Sequence, residues 1–131
     1  MFVERPVVRV VCACVVRDGR VFAARRGPTM EHVGTWEFPG GKVEPGETDQ
    51  AALARELLEE LNWNVHVGER AGEGTTGHVV LVGYWCVATD DPTLDEHDDS
   101  RWLLPNEFAD FRWAPADGPI LAAVALAIGR A

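Results

Sequence analysis

Residues 41–61, GKVEPGETDQAALARELLEEL, join a loop rich in glycine and proline to a segment with the apolar spacing of a helix. The segment predicts a helix from about Thr48 to Leu61, and it carries Glu56, Glu59 and Glu60 on one side. Side chains three and four residues apart are neighbours on a helix, so these carboxylates converge. Like charges at this spacing repel, which predicts either a solvated acidic face or a cluster held by something positive.

The predicted helix has two separate arcs at about 100° per residue. Its acidic arc has Ala52 and Trp63 nearby and Arg55 at its edge. Thr48 or Asp49 can cap the start of the helix, and Asn62 can end it in a left-handed conformation. Clustered oxygen ligands suit Mg²⁺ or Mn²⁺, which proteins often share with substrate phosphates. The core-facing arc consists of Ala51, Leu53, Ala54, Leu57, Leu58 and Leu61.

Outside this helix the chain alternates strand patterns with turns. Residues 6–17 are apolar and β-branched, typical of a strand buried on both faces, and Asp18-Gly19 turns the chain into a second strand over 20–26. A Gly/Thr turn is expected between the two longest of the later strands, and a buried helix is expected at the end of the chain. One compact αβ domain over 1–131 is therefore expected. The later elements are strands at 36–41, 63–73, 77–88 and 101–104 and helices at 105–111 and 118–129.

The composition limits the classes of function. With 131 residues and a net charge of −9, the chain lacks the basic footprint that nucleic acid polymers require, and anionic membranes are disfavoured too. Small phosphorylated molecules remain open, because bound divalent cations can reverse the local field. The N-terminus has no apolar signal segment, and 118–129 is too short to span a bilayer. Cys12, Cys14 and Cys86 lie in apolar surroundings and favour reduced thiols, so a cytoplasmic location is expected.

The loop and helix together carry a motif with many fixed positions. From Gly41 to Trp63 they give G-x5-E-x7-R-E-L-L-E-E-L-N-W. This closely resembles the Nudix box, G-x5-E-x7-R-E-U-x-E-E-x-G-U, where U is a bulky apolar residue. Asn62 stands where the family has glycine, and asparagine also tolerates a positive φ. The chain further resembles MutT-type and CTP pyrophosphohydrolase-like members in segments 35–47, 96–103 and 113–120, so the resemblance covers nearly all of it.

The resemblance implies a fold, a cofactor and a set of site residues. The implied fold is α+β, an αβα sandwich with a mixed central β-sheet flanked by helices. Glu47 and Arg55 would mainly buttress the join between loop and helix, and either Glu56 or Glu96 would take the proton from water. The implied cofactor is Mg²⁺, with Mn²⁺ as an alternative, and its ligands would be Gly40, Glu56, Glu59, Glu60 and Glu96. The implied catalytic set is Glu47, Arg55, Glu56, Glu59, Glu60 and Glu96.

Four more residues are candidates for substrate binding, each with a structural alternative. Arg26 aligns with an arginine that contacts phosphate in MutT-like proteins, although arginines are also common at exposed strand ends. Asp117 matches the position that faces the base, yet Asp117-Gly118-Pro119 equally fits the start of a helix. Trp36 could stack on a base or pack in the core. His78 lies near positions that line the nucleotide pocket of relatives.

The expected function is Mg²⁺-dependent hydrolysis of a nucleoside triphosphate to a monophosphate and pyrophosphate, with sanitation of the nucleotide pool as its role. The base would be of the cytidine type or of the oxidised guanine type. Two alternatives stay open: a hydrolase of another nucleoside diphosphate derivative, such as ADP-ribose or a dinucleoside polyphosphate, and a non-catalytic nucleotide-binding regulator. The expected partner is a small nucleotide, and the protein would be a monomer or a homodimer.

Overall fold

Seven strands and two α-helices make up the regular structure of residues 6–129, the part of the chain that the computed structural model describes. Residues 1–5 and 130–131, with the predictions about the N-terminal segment and the domain bounds that rest on them, lie outside the described residues. The strands are β1 (Val8–Arg17), β2 (Arg20–Arg25), β3 (Trp36–Glu37), β4 (Gly40–Lys42), β5 (His66–Thr76), β6 (Val79–Val87) and β7 (Asp99–Leu103). The helices are α1 (Asp49–Leu61) and α2 (Gly118–Ile128), and 3₁₀ turns span Pro105–Asp110 and Pro115–Asp117.

β1 is the central strand of a mixed sheet. It pairs in parallel with β6 along nearly its whole length, and β6 pairs antiparallel with β5. The other edge of β1 is shared, because β4 pairs with its first half and β2 pairs only with its last two residues. β2 then diverges from β1 and pairs with β3 and β7. The short segment between β3 and β4 therefore lies where the two parts of the sheet separate.

The side chains of β1 divide the core into two layers, as a strand buried on both faces requires. Val11, Ala13 and Val15 pack on the side of α1, whereas Cys12 and Cys14 pack on the side of α2. Helices thus cover both faces of the mixed sheet, and the predicted α+β fold of αβα type is confirmed. The three cysteines are buried and unbonded.

The α1 helix begins and ends as predicted, but its buried face differs from the prediction. The Thr48 hydroxyl accepts a hydrogen bond from Ala51 N at 3.1 Å, and Asn62 closes the helix with a φ of 46°. The prediction that Ala51 and Leu58 face the core is wrong, because both are exposed, Leu58 to 47%. Ala52, which was predicted on the acidic side, is fully buried instead. The helix is therefore rotated so that Glu56 and Glu60 lie at the edge of its buried face, while Glu59 stays exposed.

Other boundaries, and the burial of the terminal helix, also differ from the predictions. The turn between β5 and β6 is formed by Gly77 and His78 rather than by the preceding Gly/Thr residues, since Gly77 has a φ of 61° that favours glycine. β7 begins at Asp99, two residues earlier than predicted. The terminal helix buries only one face, with Leu126 59% exposed. Within 6–129, no helix is long and apolar enough to cross a bilayer.

Candidate active site

An ion pair fixes the loop in front of α1 to the helix itself. The Glu47 carboxylate lies 2.7 Å from Arg55 Nε and 2.8 Å from its Nη2, a two-pronged geometry that sets the orientation of both groups. Glu47 also accepts a hydrogen bond from Glu44 N, and Arg55 donates to the carbonyl of Lys42. The Arg55 guanidinium lowers the pKa of Glu47 to about 2. These contacts hold the loop against the first half of the helix.

The acidic side of α1 forms a crowded cluster of carboxylates. Burial, together with the negative charges of Glu56, Glu37 and Glu96, raises the pKa of Glu60 to about 8. A carboxyl group with this pKa holds its proton at neutral pH, because a second or third buried negative charge is too costly. Glu59 and Glu96 lie beside Glu60 around a cavity of about 200 Å³.

Two glycines let the loop approach the cluster and the sheet. A Cβ atom at Gly41 would lie 2.5 and 2.6 Å from the two carboxylate oxygens of Glu56, closer than real Cβ contacts. The Glu56 carboxylate therefore rests on the loop backbone in space that a side chain would fill. A Cβ atom at Gly40 would lie 2.7 Å from the Cα of Cys12, so Gly40 is needed for the pairing of β4 with β1.

A second, larger cavity of about 570 Å³ opens next to the acidic cluster, and its size suits a small organic ligand. Gly41 lines this cavity and also touches the Glu56 carboxylate, so the two sites share a wall. The other polar and apolar side chains of the wall include Arg26, Glu37, Phe38, Leu81 and Asp117.

Asp117 forms part of the cavity wall and is only 5% exposed. Its Oδ2 accepts a hydrogen bond from Phe38 N at 2.9 Å, and it forms no side-chain cap at the start of α2. The helix does start where this alternative placed it, with Asp117 at the N-cap position and Pro119 in the first turn, but the Asp117 carboxyl binds Phe38 N instead of capping the helix. Burial raises the pKa of Asp117 to about 7, although the Phe38 hydrogen bond counteracts this. Near neutral pH the carboxyl can therefore both donate and accept hydrogen bonds.

Arg26 is locked at the edge of the same cavity. Its Nη1 donates to Glu37 Oε1 at 2.7 Å, and its Nε donates to the carbonyl of Glu31. Its backbone bonds to Thr35 and Gly34, so the loop of 27–34 closes around it. Within residues 6–129, no protein hydrogen bond uses Nη2, which leaves that group for a ligand.

The comparison with known proteins identifies the family of this chain. The model of the NUDIX domain matches residues 5–124, most of the sequence. The chain belongs to the Nudix family. It is therefore a hydrolase of phosphoric anhydrides, of the MutT type.

Curated and solved relatives of this Nudix hydrolase match over most of their length. The chain is 38% identical to the CTP pyrophosphohydrolase of Escherichia coli K12, over 88% of this chain and 90% of that protein. It is 40% identical to the putative 8-oxo-dGTP diphosphatase 2 of Mycobacterium tuberculosis, over 82% and 81%. The MutT protein of methicillin-resistant Staphylococcus aureus 252 superposes with a TM-score of 0.74 at 36% identity, over 95% and 99%.

The acidic cluster of the Nudix hydrolase is chemically suited to a divalent cation. Members of the family generally use such ions, and all the side-chain donors are hard carboxylate oxygens. Burial and the neighbouring negative charges raise the pKa of Glu60, and a bound cation would favour its ionised form instead. Among the described residues, no three acidic, His or Cys side chains are already grouped around one point. Arg55 instead binds Glu56 at 3.1 Å and Glu59 at 3.2 Å.

Two of the predicted substrate residues do not line the cavity of the Nudix hydrolase. Trp36 is 7% exposed, packs edge-on against Phe111 and lies in the core on the side of α2. The structure therefore supports the packing alternative for Trp36. His78 is exposed in the turn between β5 and β6, where its carbonyl accepts a hydrogen bond from Val8 N. Its neighbours Thr76 and Val79 line the cavity, but its own side chain does not.

Two polar residues of the site were not predicted from the sequence. Glu37 lines the larger cavity and His97 lines the smaller one. Their side chains meet, with His97 Nε2 lying 2.9 Å from Glu37 Oε2. A weak signal was present for Glu37, which is a lone charge between the aromatic residues Trp36 and Phe38.

Proposed function

We propose that this Nudix hydrolase converts a nucleoside triphosphate into a nucleoside monophosphate and pyrophosphate. The homologues act on small nucleotide substrates, and the proposed base is of the cytidine type or the oxidised guanine type. The names of the two curated relatives support these two bases. The observation that carries the proposal is the position of Asp117, whose buried carboxyl lines a cavity that shares a wall with the acidic cluster.

The proposed orientation of the nucleotide follows from the two ends of this site. A base entering the larger cavity would meet the Asp117 carboxyl, which can hydrogen-bond an exocyclic amine or a ring N–H. The phosphates would extend along Gly41 toward the carboxylates of α1. Arg26 would pair with a phosphate through Nη2, while its other nitrogens stay bound to the protein.

Mg²⁺, with Mn²⁺ as an alternative, is the proposed cofactor. The residues that would hold it are Glu56, Glu59, Glu60 and Glu96, with the carbonyl of Gly40. When bound, the ion would neutralise the polyphosphate and stabilise the charge that develops on the leaving group. Either Glu56 or Glu96 would accept the proton of the attacking water. Both remain candidates, because Glu56 is held by Arg55 and Glu96 is exposed beside Glu60.

A nucleotide panel tests the proposal. The purified chain would be given CTP, dCTP, 5-methyl-dCTP, 5-hydroxy-dCTP, 8-oxo-dGTP, dGTP, ADP-ribose and diadenosine tetraphosphate, each with Mg²⁺ and with EDTA. The expected result is release of pyrophosphate, rather than phosphate, from a cytidine or oxidised guanine triphosphate only when Mg²⁺ is present. Activity confined to ADP-ribose or diadenosine tetraphosphate would refute the proposed substrate class. Pyrophosphate release that persists in EDTA would refute the proposed cofactor.

A further inference from the structure

A buried histidine lies directly behind the acidic cluster, and the proposed reaction does not use it. His97 is 3% exposed, although its neighbours Glu96 and Asp98 are both exposed. Because an ionised carboxylate only accepts hydrogen bonds, His97 Nε2 donates to Glu37 Oε2. The other ring nitrogen, Nδ1, is the only buried side-chain nitrogen or oxygen in 6–129 without a hydrogen-bond partner.

This arrangement is unfavourable for stability alone. An unpaired polar atom that is taken out of water lowers the stability of a fold, a cost that an apolar side chain of similar size would avoid. Because Nδ1 is unpaired, the bond between Nε2 and Glu37 is the polar contact through which the imidazole can hold its loop in place.

The loop that carries Glu96 is attached to the end of β2 at several points. A Cβ atom at Gly27 would overlap the carbonyl oxygen of Glu96, so the two backbones are in close contact. Asp98 N donates to the carbonyl of Arg25 at 3.1 Å, and the Arg25 side chain pairs with Asp98 at 2.7 Å. His97 lies between Glu96 and Asp98, and of these three residues only His97 is buried.

Glu37 connects this loop to the larger cavity. One of its oxygens binds His97 at 2.9 Å and the other binds Arg26 at 2.7 Å, and its side chain is only 14% exposed. The chain Glu96–His97–Glu37–Arg26 thus runs from the acidic cluster to the cavity.

We propose that His97 is a positioning residue that fixes Glu96 in the acidic cluster by anchoring its loop to Glu37, which in turn orients Arg26 in the nucleotide cavity. The inference deepens the proposed function and rests on it for the role of the nucleotide. It makes a prediction about metal affinity that does not depend on which nucleotide is hydrolysed.

Two substitutions of similar polarity separate positioning from packing. In His97→Gln the side-chain nitrogen lies the same number of bonds from the backbone as Nε2, so the contact with Glu37 can form. In His97→Asn the nitrogen is one bond shorter and the contact is lost. His66→Asn is the matched control, because His66 is exposed on β5 and lines neither of the two cavities. Glu37→Gln tests the other half of the chain, since it removes the charge that holds Arg26.

The main readout is the Kd for Mn²⁺ without nucleotide, measured from the electron paramagnetic resonance signal of free Mn²⁺. We expect His97→Asn to raise this Kd about fivefold or more, while His97→Gln and His66→Asn stay within twofold of the wild type. Equal values for the Asn and Gln variants would overturn the inference, and so would a wild type that does not bind Mn²⁺. If His97→Asn does not fold, as judged by circular dichroism, the Gln variant decides: a Kd within twofold of the wild type supports the role of the contact, and a Kd raised fivefold or more would refute it.

Kinetics on a hydrolysed nucleotide give a second, independent readout. We expect His97→Asn to lower kcat about tenfold with KM within twofold, because Glu96 moves while Arg26 stays paired with Glu37. We expect Glu37→Gln to raise KM as well. A wild type that hydrolyses no triphosphate but shows the expected Mn²⁺ shifts would refute the proposed function and retain this inference. If the wild type hydrolyses a triphosphate but His97→Asn binds Mn²⁺ as tightly as the wild type does, the proposed function is retained and this inference is refuted.

Discussion

The position of Gly41 makes a quantitative prediction about the acidic cluster. In Gly41→Ala the new Cβ atom would lie 2.5 Å from a Glu56 oxygen, whereas ordinary contacts begin at 3.4 Å. The carboxylate must therefore move by about 1 Å, which its flexible side chain allows. A displacement of this size in a catalytic group can cost about 10²-fold in rate, or about 2.7 kcal/mol of transition-state stabilisation. We expect kcat to fall by about that factor.

The same substitution should leave stability almost unchanged. Gly41 does not have a positive φ, so alanine fits its backbone conformation. Replacing glycine at such a position stabilises a protein by about 0.4–1 kcal/mol through the unfolded state. Weakening the contact between Arg55 and Glu56 costs a similar amount or less. The midpoint of thermal unfolding is therefore expected within about 3 °C of the wild type.

Gly40→Ala is the matched comparison, because its Cβ atom would meet backbone instead of a mobile side chain. The new Cβ atom would lie 2.7 Å from the Cα of Cys12 in the central strand, so β4 or β1 must shift. Strain of this kind costs about 1–3 kcal/mol, and the unfolding midpoint should fall clearly. Both variants would be assayed for pyrophosphate release at saturating Mg²⁺ and by circular dichroism. If Gly41→Ala keeps its kcat within threefold, or unfolds as early as Gly40→Ala, the reasoning is refuted.

Three further predictions concern charge and packing. In metal-free buffer, the free energy of unfolding of the wild type should fall as pH rises from about 4.5 to about 8, because Glu60 holds its proton over that range in the native state but not in the unfolded chain. Glu60→Gln should flatten this fall and lower kcat by orders of magnitude. An unchanged pH slope in the variant would contradict the prediction. Asp117→Asn should alter the ratio of kcat/KM values between bases more than the rate on a poor substrate, and an equal loss across the nucleotide panel would count against base recognition. Leu57→Ala should cost about 2–5 kcal/mol in urea unfolding and Leu58→Ala less than about 1 kcal/mol, so equal costs would refute the observed helix face.

Local patterns predicted the elements of this fold better than the contacts between them. The α1 helix follows from its apolar spacing and from Thr48 and Asn62 at its ends, all of which are local signals. The orientation of the helix does not follow from them, because Leu58 and Ala51 are apolar and fit a core-facing arc as well as Ala52 does. What the helix packs against decides its rotation, and that information is not contained in the helix.

The same limit applies to the site. The glutamates of α1 were predicted because they lie within one motif of the chain, and their neighbours on the helix are fixed by its geometry. The bond between His97 and Glu37 joins residues 60 apart, and the bond between Phe38 and Asp117 joins residues 79 apart. No spacing rule connects such pairs. For Asp117, the sequence predicted the start of α2 correctly, but the bond of its carboxyl to Phe38 N is a tertiary contact that no local pattern indicates.

The rotation of α1 also explains how the site is built energetically. Leu58 remains 47% exposed, although full burial of a leucine contributes about 1.5–3 kcal/mol and some of that is lost. In its place the helix turns Glu56 and Glu60 toward the sheet, where burial and mutual repulsion raise the pKa of Glu60 to about 8. Both choices lower the stability of the metal-free chain. A bound cation would remove the cost of burying Glu60, because it would stabilise the ionised carboxylate. The stability that the metal-free chain lacks would then contribute to the affinity for the metal. Added Mg²⁺ should therefore raise the unfolding midpoint of the wild type more than that of Glu60→Gln, and equal shifts in the two proteins would show that Glu60 does not contribute to binding.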